Sequence, residues 1–341
     1  MSNLSNKRIL IFGGSGSLGC ALINKLHKAN ELLIYSRDEA KHWTIRNEVN
    51  STNLSFSVGD IRDFHRIEEV LKRFKPNVVI IASALKQVDT CELSPFESIQ
   101  TNIIGINNVV DAVCRNMNEV KSYLETVLMV STDKACAPVN VYGMCKAIAE
   151  RVVTSRAIDS SGPKFVGVRY GNVLESRGSI IPLFRHQADN ADAFTLTHRD
   201  MTRYLMTLDD SIDLIVETVK NAKSGEIWLP KLKSMAIFDL AEIFSERYGK
   251  PIKFIGMRPG EKIHEDLISE PESVRVEDIG SHYVLQPAHG KVAINSKMFG
   301  YSSGDDVMTK HELQDYLNGL GILDWNLSDF HGKHIEEIRT V

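Results

Sequence analysis

The chain lacks the features that would assign it to a membrane, a nucleic acid or a disulfide-built secreted scaffold. None of its apolar runs approaches the roughly 18–20 residues needed to span a bilayer. The N-terminal stretch Met1–Lys7 is polar and leads straight into a strand pattern, so no signal peptide is expected. No dense block of lysine and arginine occurs and the net charge is -4, which argues against a nucleic-acid partner. The five cysteines (Cys20, Cys91, Cys114, Cys136, Cys145) form no C-x-x-C pair and are odd in number, as expected of reduced thiols in a cytoplasmic protein. His186, His198 and His264 are too far apart to read as a metal site, and none is assigned. There is no internal repeat and no low-complexity linker.

What is present is an ordinary globular composition, 43% hydrophobic and 25% charged over 341 residues. Strand and helix patterns alternate through the first half. Strands are expected at Lys7–Phe12, Glu31–Ser36, Leu54–Val58, Val78–Ala82, Val127–Thr132 and Phe165–Tyr170. Helices are expected at Gly16–Lys28, from Asp63 to Phe74, over Pro95–Met117 and over Val141–Ala157. This alternation predicts an α/β fold, a Rossmann-type doubly wound parallel sheet with a smaller C-terminal α/β substrate-binding domain. The division expected is 1–170 for the nucleotide-binding domain, 171–301 mainly for substrate with part returning to the first domain, and 302–341 as a tail. In the second half, Thr207 starts a capping-box helix to about Asn221 and Gly225–Leu229 is a strand. Ser234 is expected to cap a helix from Met235 to Arg247, Lys253–Met257 to be a strand, and Asp189–Asp200 a solvated loop. One tail helix is expected at Lys310–Leu320.

Gly13-Gly14-Ser15-Gly16-Ser17-Leu18-Gly19 fits G-x-x-G-x-x-G between the first strand and its helix. Glycines there let backbone amides approach a pyrophosphate at a helix N-terminus, which makes Gly13, Ser15, Gly16, Ser17 and Leu18 candidate dinucleotide ligands. The second strand ends Tyr35-Ser36-Arg37 rather than in an acidic residue. The Ser36 hydroxyl and Arg37 guanidinium suit a 2′-phosphate, which favours NADP over NAD, although Asp38 and Glu39 follow. Asp60 and Ile61 would flank the adenine. Ala82 and Ala84 are small enough to let the cofactor pass.

Tyr142 and Lys146 lie four apart, on one helix face. An ammonium beside a phenol lowers its pKa and makes it usable as a base near neutrality. Thr132, at the preceding strand end, can hydrogen-bond the same substrate hydroxyl. The three suit hydride transfer at a carbinol carbon, with Tyr142 and Lys146 also bordering the cofactor.

Several segments in order extend this into a family resemblance: Tyr35-Ser36-Arg37-Asp38-Glu39, Ala84-Leu85-Lys86, Ser131-Thr132-Asp133-Lys134-Ala135, Arg169-Tyr170-Gly171-Asn172-Val173, Ser176-Arg177-Gly178-Ser179, Met201-Thr202-Arg203 and Arg258-Pro259-Gly260-Glu261-Lys262. The chain resembles the extended short-chain dehydrogenases/reductases, and more narrowly the UDP-N-acetylglucosamine 4,6-dehydratases of surface-glycan synthesis. That resemblance implies a tightly bound NADP regenerated in each turnover. It implies that Tyr142 deprotonates the sugar 4-hydroxyl during oxidation at C4, Lys134 removes the C5 proton, and Asp133 in its protonated form assists loss of the 6-hydroxyl. Hydride return to C6 and reprotonation at C5 from the opposite face would give a 4-keto-6-deoxy-L-arabino sugar. The scheme needs Lys134 lowered in pKa, by burial or by Lys146, and Asp133 raised. Adjacent strand residues point to opposite faces, so both reach the sugar only if the strand has already ended.

By the same resemblance Lys86, Asn172, Arg177, Arg203, Arg258 and Glu261 are candidate substrate ligands, and a homo-oligomer as large as a hexamer is implied. The competing readings are a C5-retaining dehydratase, a UDP-sugar 4-epimerase, which Asp133-Lys134 disfavours, and a non-catalytic NADP-binding sensor or scaffold.

Overall fold

The computed structural model describes residues 4–158, 162–289, 297–333 and 335, so parts of the expected second region and tail lie outside the described residues, at 290–296, 334 and 336–341. Among the described residues the centre is a nine-stranded sheet. Seven of its strands run parallel: β1 (Arg8–Phe12), β2 (Glu31–Ser36), β3 (Leu54–Val58), β4 (Val78–Ile81), β5 (Thr126–Val130), β6 (Lys164–Val168) and β7 (Ile227–Pro230). The antiparallel strands β8 (Val276–Asp278) and β9 (His282–Leu285) extend one edge, giving the order β8-β9-β7-β6-β5-β4-β1-β2-β3.

The strands are short apolar runs because both sheet faces are covered. Ile9 and Ile11 enter one hydrophobic layer and Leu10 and Phe12 the other, all fully buried. The strand order reverses between β1 and β4, the point at which an open α/β sheet presents a crevice. The helix pattern over Pro95–Met117 forms as Pro95–Ile99, a π-helical turn at Gln100–Ile104 and Gly105–Arg115. That turn aims Asn102 at the loop after β4. Its side chain accepts from Leu85 N at 2.9 Å and donates to Leu85 O at 2.8 Å.

After Gly171 the chain builds a second core. The rings of Phe184, Phe194 and Phe244 lie 5.3–6.1 Å apart within it, and Leu313, Leu317 and Phe330 of the tail close it. This corrects two expectations. The supposed loop at Asp189–Asp200 contains the strand Phe194–Leu196, paired in parallel with Ile252–Phe254, because Phe194 and Leu196 are core residues. Ser234 does not cap a helix. It begins the strand Ser234–Ala236, paired antiparallel with Thr202–Met206, and the helix starts only at Ile237. The helices Glu39–Val49 and Ile180–Asn190 were not foreseen.

Arg169, 1% exposed, ties the later segment to the main sheet. Its guanidinium holds Glu150 at 2.6 and 3.0 Å, Glu272 at 2.9 and 3.0 Å, and the Leu267 carbonyl at 2.9 Å. A buried cation requires such saturation, since its desolvation is offset only by several well-formed charge-assisted bonds.

Candidate active site

A cleft of about 1090 Å³ opens at the carboxyl ends of β1, β4, β5 and β6, and every ligand or catalytic candidate named from the sequence lines it. Backbone crowding explains the glycines at its base. Gly13 has φ 81°, and a Cβ there would lie 2.7 Å from the Ser83 backbone; a Cβ on Gly19 would lie 2.2 Å from the Gly14 carbonyl. The helix Ser17–Leu26 starts behind Gly16, which offers no side-chain cap to its first amides.

At the end of β2 the Ser36 hydroxyl meets Ser15 Oγ at 2.9 Å and His42 Nε2 at 2.6 Å. Arg37 is mostly exposed, 3.7 Å from Asp60. Burial pushes the Asp60 carboxyl up, but hydrogen bonds and charge from Arg62 outweigh it and hold the pKa below the usual value. Asp38 is already engaged, capping the next helix through Lys41 N and pairing with Lys41 Nζ at 2.6 Å. Lys41 therefore brings a second cation to this end of the cleft. Sequence reading missed it because the Glu39–Val49 helix buries little besides His42 and Ile45 and shows a faint apolar stripe.

The catalytic candidates gather where β5 ends. The strand stops at Val130, and Asp133–Ala135 forms a single 3-10 turn, so the strand constraint on adjacent residues no longer applies. Asp133 is fully buried. Its Oδ1 accepts from the Thr132 hydroxyl at 2.8 Å and from Lys134 Nζ at 3.1 Å. Asp133 Oδ2 is buried with no partner among the described residues. Lys134 Nζ also lies 3.3 Å from Glu265 Oε1, and Arg203 Nε is 3.9 Å from the same oxygen. Glu265 was not foreseen, because its place beside Lys134 is set by a distant segment and not by any local pattern.

Two expected pKa directions are overturned. Burial lowers Lys134, but the charges of Asp133 and Glu265 outweigh it, so its ammonium is held above the ordinary lysine value. Burial pushes the Tyr142 phenol up to about 12, with Lys134 pulling it down and Asp133 pushing it up. Lys146 instead donates to the Val130 carbonyl at 2.7 Å, and burial lowers its pKa to about 8 against the opposing charge of Glu150.

Over this floor, Lys86 donates to the Arg177 carbonyl at 2.6 Å, and Arg177 N donates to Ser17 Oγ at 3.0 Å, so the 176–179 loop bridges the two walls. Arg203 spends its donors on the carbonyls of Thr202, Lys262 and Ile263, fixing the segment that carries Glu265. Arg258 and Glu261 form one turn, Arg258 N donating to Glu261 Oε2 at 2.9 Å. The turn docks through Asn140 Nδ2 to Gly260 O at 2.8 Å, beside the start of the Tyr142 helix. Asn172 Oδ1 is buried without a partner among the described residues. Among those residues no cluster of three or more His, Cys, Asp or Glu is placed to hold a metal, and no helix is long and apolar enough to cross a membrane.

A model of the polysaccharide biosynthesis protein family matches residues 9–287. A UDP-glucose 4-epimerase of Rickettsia prowazekii (strain Madrid E) is 38% identical over 304 residues, 86% of either chain. The X-ray structure of Pen from Bacillus thuringiensis aligns with a TM-score of 0.85 at 31% identity, covering 94% of this chain and 100% of that one. The fold is also that of DesIV, a dTDP-glucose 4,6-dehydratase of Streptomyces venezuelae solved with NAD and TYD bound. There the TM-score is 0.66 at 19% identity, over 75% of this chain and 86% of the other.

Proposed function

The chain belongs to the polysaccharide biosynthesis protein family, and from that membership we propose that it is an NADP-dependent UDP-N-acetylglucosamine 4,6-dehydratase that inverts C5. The observation that carries this reading is the contact at 3.1 Å between the buried Asp133 and the half-buried Lys134 on the cleft floor beside Tyr142. A 4-epimerase, the activity in the name of the Rickettsia relative, has no step that requires an acid and a base at this position.

The cleft suits the cofactor. Gly13 and Gly19 admit no Cβ, and Ser15, Ser36, Arg37 and Lys41 present hydroxyls and cations fitted to a 2′-phosphate. Asp38, committed to Lys41, does not offer its carboxylate to a ribose. When bound, NADP supplies the hydride acceptor for C4 and the donor that later reduces C6.

To take the 4-hydroxyl proton Tyr142 must first ionise against the burial that raises its pKa, a cost that the Lys134 cation reduces, and the resulting ketone acidifies C5. One proton passing from Lys134 Nζ to Asp133 Oδ1 produces a neutral amine and a neutral carboxyl without changing the charge of the pair. The amine takes the C5 proton and the acid protonates the departing 6-hydroxyl. The pair ends as ammonium and carboxylate, as it began; Tyr142 gives its proton up to solvent, and a solvent proton reaching C5 from the face opposite Lys134 completes the inversion. The raised proton affinity of Lys134 is therefore compatible with the chemistry, because the lysine needs a nearby acceptor and not a lowered pKa in the resting state.

In this reading Asn172, Arg177, Arg258 and Glu261 hold the UDP-sugar, with Lys86 and Arg203 shaping the walls. The enzyme works in the cytoplasm as a homo-oligomer. The exposed apolar side chains of Phe96, Ile104, Met144 and Ile148, on neighbouring helical segments, supply the contact face. Incubation with UDP-N-acetylglucosamine, followed by NMR, tests the proposal. A 4-keto-6-deoxy sugar inverted at C5 supports it. UDP-N-acetylgalactosamine as sole product overturns it in favour of epimerisation, and an uninverted keto sugar moves the enzyme to the retaining branch.

A further inference from the structure

Glu265 is a second carboxylate in the catalytic cluster, and neither the hydride step nor the elimination as written above uses it. Its side chain is 4% exposed and lines the cleft. Its backbone is fixed by Ser303, whose Oγ accepts from Glu265 N at 2.9 Å and whose N donates to Glu265 O at 2.8 Å. Oε1 faces Lys134 Nζ at 3.3 Å and Arg203 Nε at 3.9 Å, while Oε2 is buried with no partner among the described residues. Four charged groups act on it: Lys134 and Asp133 from the turn after β5, Arg203 from the Thr202–Met206 strand, and Lys262 from its own segment.

We propose that Glu265 is a positioning residue that fixes the proton count of the Asp133–Lys134 pair. The inference rests on the dehydratase reading of that pair. The elimination needs one proton shared between the two residues, on the carboxyl while the amine is free. If the proton is lost to solvent, the base remains but the acid is gone, and water is not released. A carboxylate at 3.3 Å from Lys134 opposes that loss by favouring the protonated form of the pair. The ion balance is consistent, since Asp133, Glu265, Lys134 and Arg203 carry two charges of each sign. Moving a proton from Lys134 to Asp133 leaves Glu265 facing Arg203 and the cluster neutral. Burial and the Asp133 charge push the Glu265 carboxyl itself up, with Lys134 and Arg203 opposing.

The sign follows. Removing the Glu265 charge lets the pair lose its proton at lower pH, so the alkaline limb of water release moves down. The test compares wild type with Glu265→Gln and Glu265→Asp, measuring C4 oxidation and water release separately across pH. Expected for Glu265→Gln is an alkaline limb of water release lower by about 1–3 pH units, with the limb of C4 oxidation unmoved and Glu265→Asp close to wild type. A uniform loss at all pH values, without a shift, would show a merely structural role and overturn the proposal. Should Glu265→Gln not fold, Glu265→Ala removes the same charge and must move the same limb downward; an unmoved limb overturns the proposal equally. The Lys134 titration, followed by NMR of the lysine ε-methylene in sugar-free protein, must fall in Glu265→Gln, and an unchanged titration refutes the inference. That readout stands even if wild type forms no keto sugar from UDP-N-acetylglucosamine, in which case the functional reading alone fails.

Discussion

Lys134 Nζ lies 3.1 Å from Asp133 Oδ1, while Asp133 Oδ2 has no partner among the described residues and the residue lines the cleft. In the proposed dehydratase the contact separates two reactions that share one floor. Lys134→Ala and Asp133→Asn should each still permit oxidation at C4, with Lys134→Ala slower at that step because the cation that lowers the Tyr142 pKa is gone. Each should slow water release by about 10²–10⁴-fold, the usual contribution of a positioned acid or base. Single-turnover absorbance of the reduced cofactor reads the first step and product NMR the second. Unchanged water release in Lys134→Ala would remove the lysine from the mechanism.

In the proposed enzyme the preference for NADP rests on Arg37 and Lys41. Each can make a charge-assisted hydrogen bond to a 2′-phosphate, worth about 1.5–3 kcal/mol. Arg37→Ala or Lys41→Ala should therefore weaken NADP binding by roughly 10–100-fold, with NAD binding nearly unchanged in Arg37→Ala and unchanged or tighter in Lys41→Ala, which frees Asp38 for the ribose. Titration of each cofactor against intrinsic fluorescence measures both. Equal losses for NAD and NADP would place the two cations on the shared pyrophosphate instead.

The strongly periodic parts of this chain were legible in its sequence. Strands β2 and β3 form over the residues expected, and the Asp63-capped helix ends at Phe74 as expected, because apolar runs and caps are local signals. The Phe194–Leu196 strand was hidden between acidic residues, and its burial depends on the rings of Phe184 on the preceding helix and of Phe244, fifty residues further along the chain. Ile180–Asn190 was hidden by Pro182, which a helix tolerates in its first turn. In the site, Tyr142 and Lys146 were candidates by their spacing, whereas Asp133 and Lys134 were singled out only by the family resemblance. Glu265 was signalled by neither, since its approach to Lys134 is set by Arg203 and Ser303.

Acid should unfold the protein partly through Glu272. Burial raises this carboxyl, but Arg169 outweighs burial and lowers its pKa from 4.5 to about 2. The folded pKa is depressed, so the stabilisation is complete above pH 4.5 and is lost as the pH falls through 2. A shift of this size corresponds to about 3 kcal/mol. Glu272→Gln should lower stability by about that amount at pH 7, and the difference from wild type should close between pH 4.5 and 2. Urea unfolding at stepped pH tests it. A constant difference down to pH 2 would mean that packing, and not the charge held by Arg169, accounts for the loss.

The helix that buries Tyr142 and Lys146 turns a different face outward, where Met144 and Ile148, four apart, are 47% and 49% exposed. Phe96 and Ile104 are exposed on the adjoining helical segments. In a two-fold dimer each of these side chains is buried twice. A fully buried residue of this size contributes about 1.5–3 kcal/mol, so a few suffice to hold two copies together. A glutamate at position 148 would place two like charges in the same contact. Ile148→Glu should therefore reduce the mass found by light scattering by a factor of two or more while the far-ultraviolet dichroism stays native. An unchanged mass would mean that the chain is a monomer or that its oligomer is built on another surface.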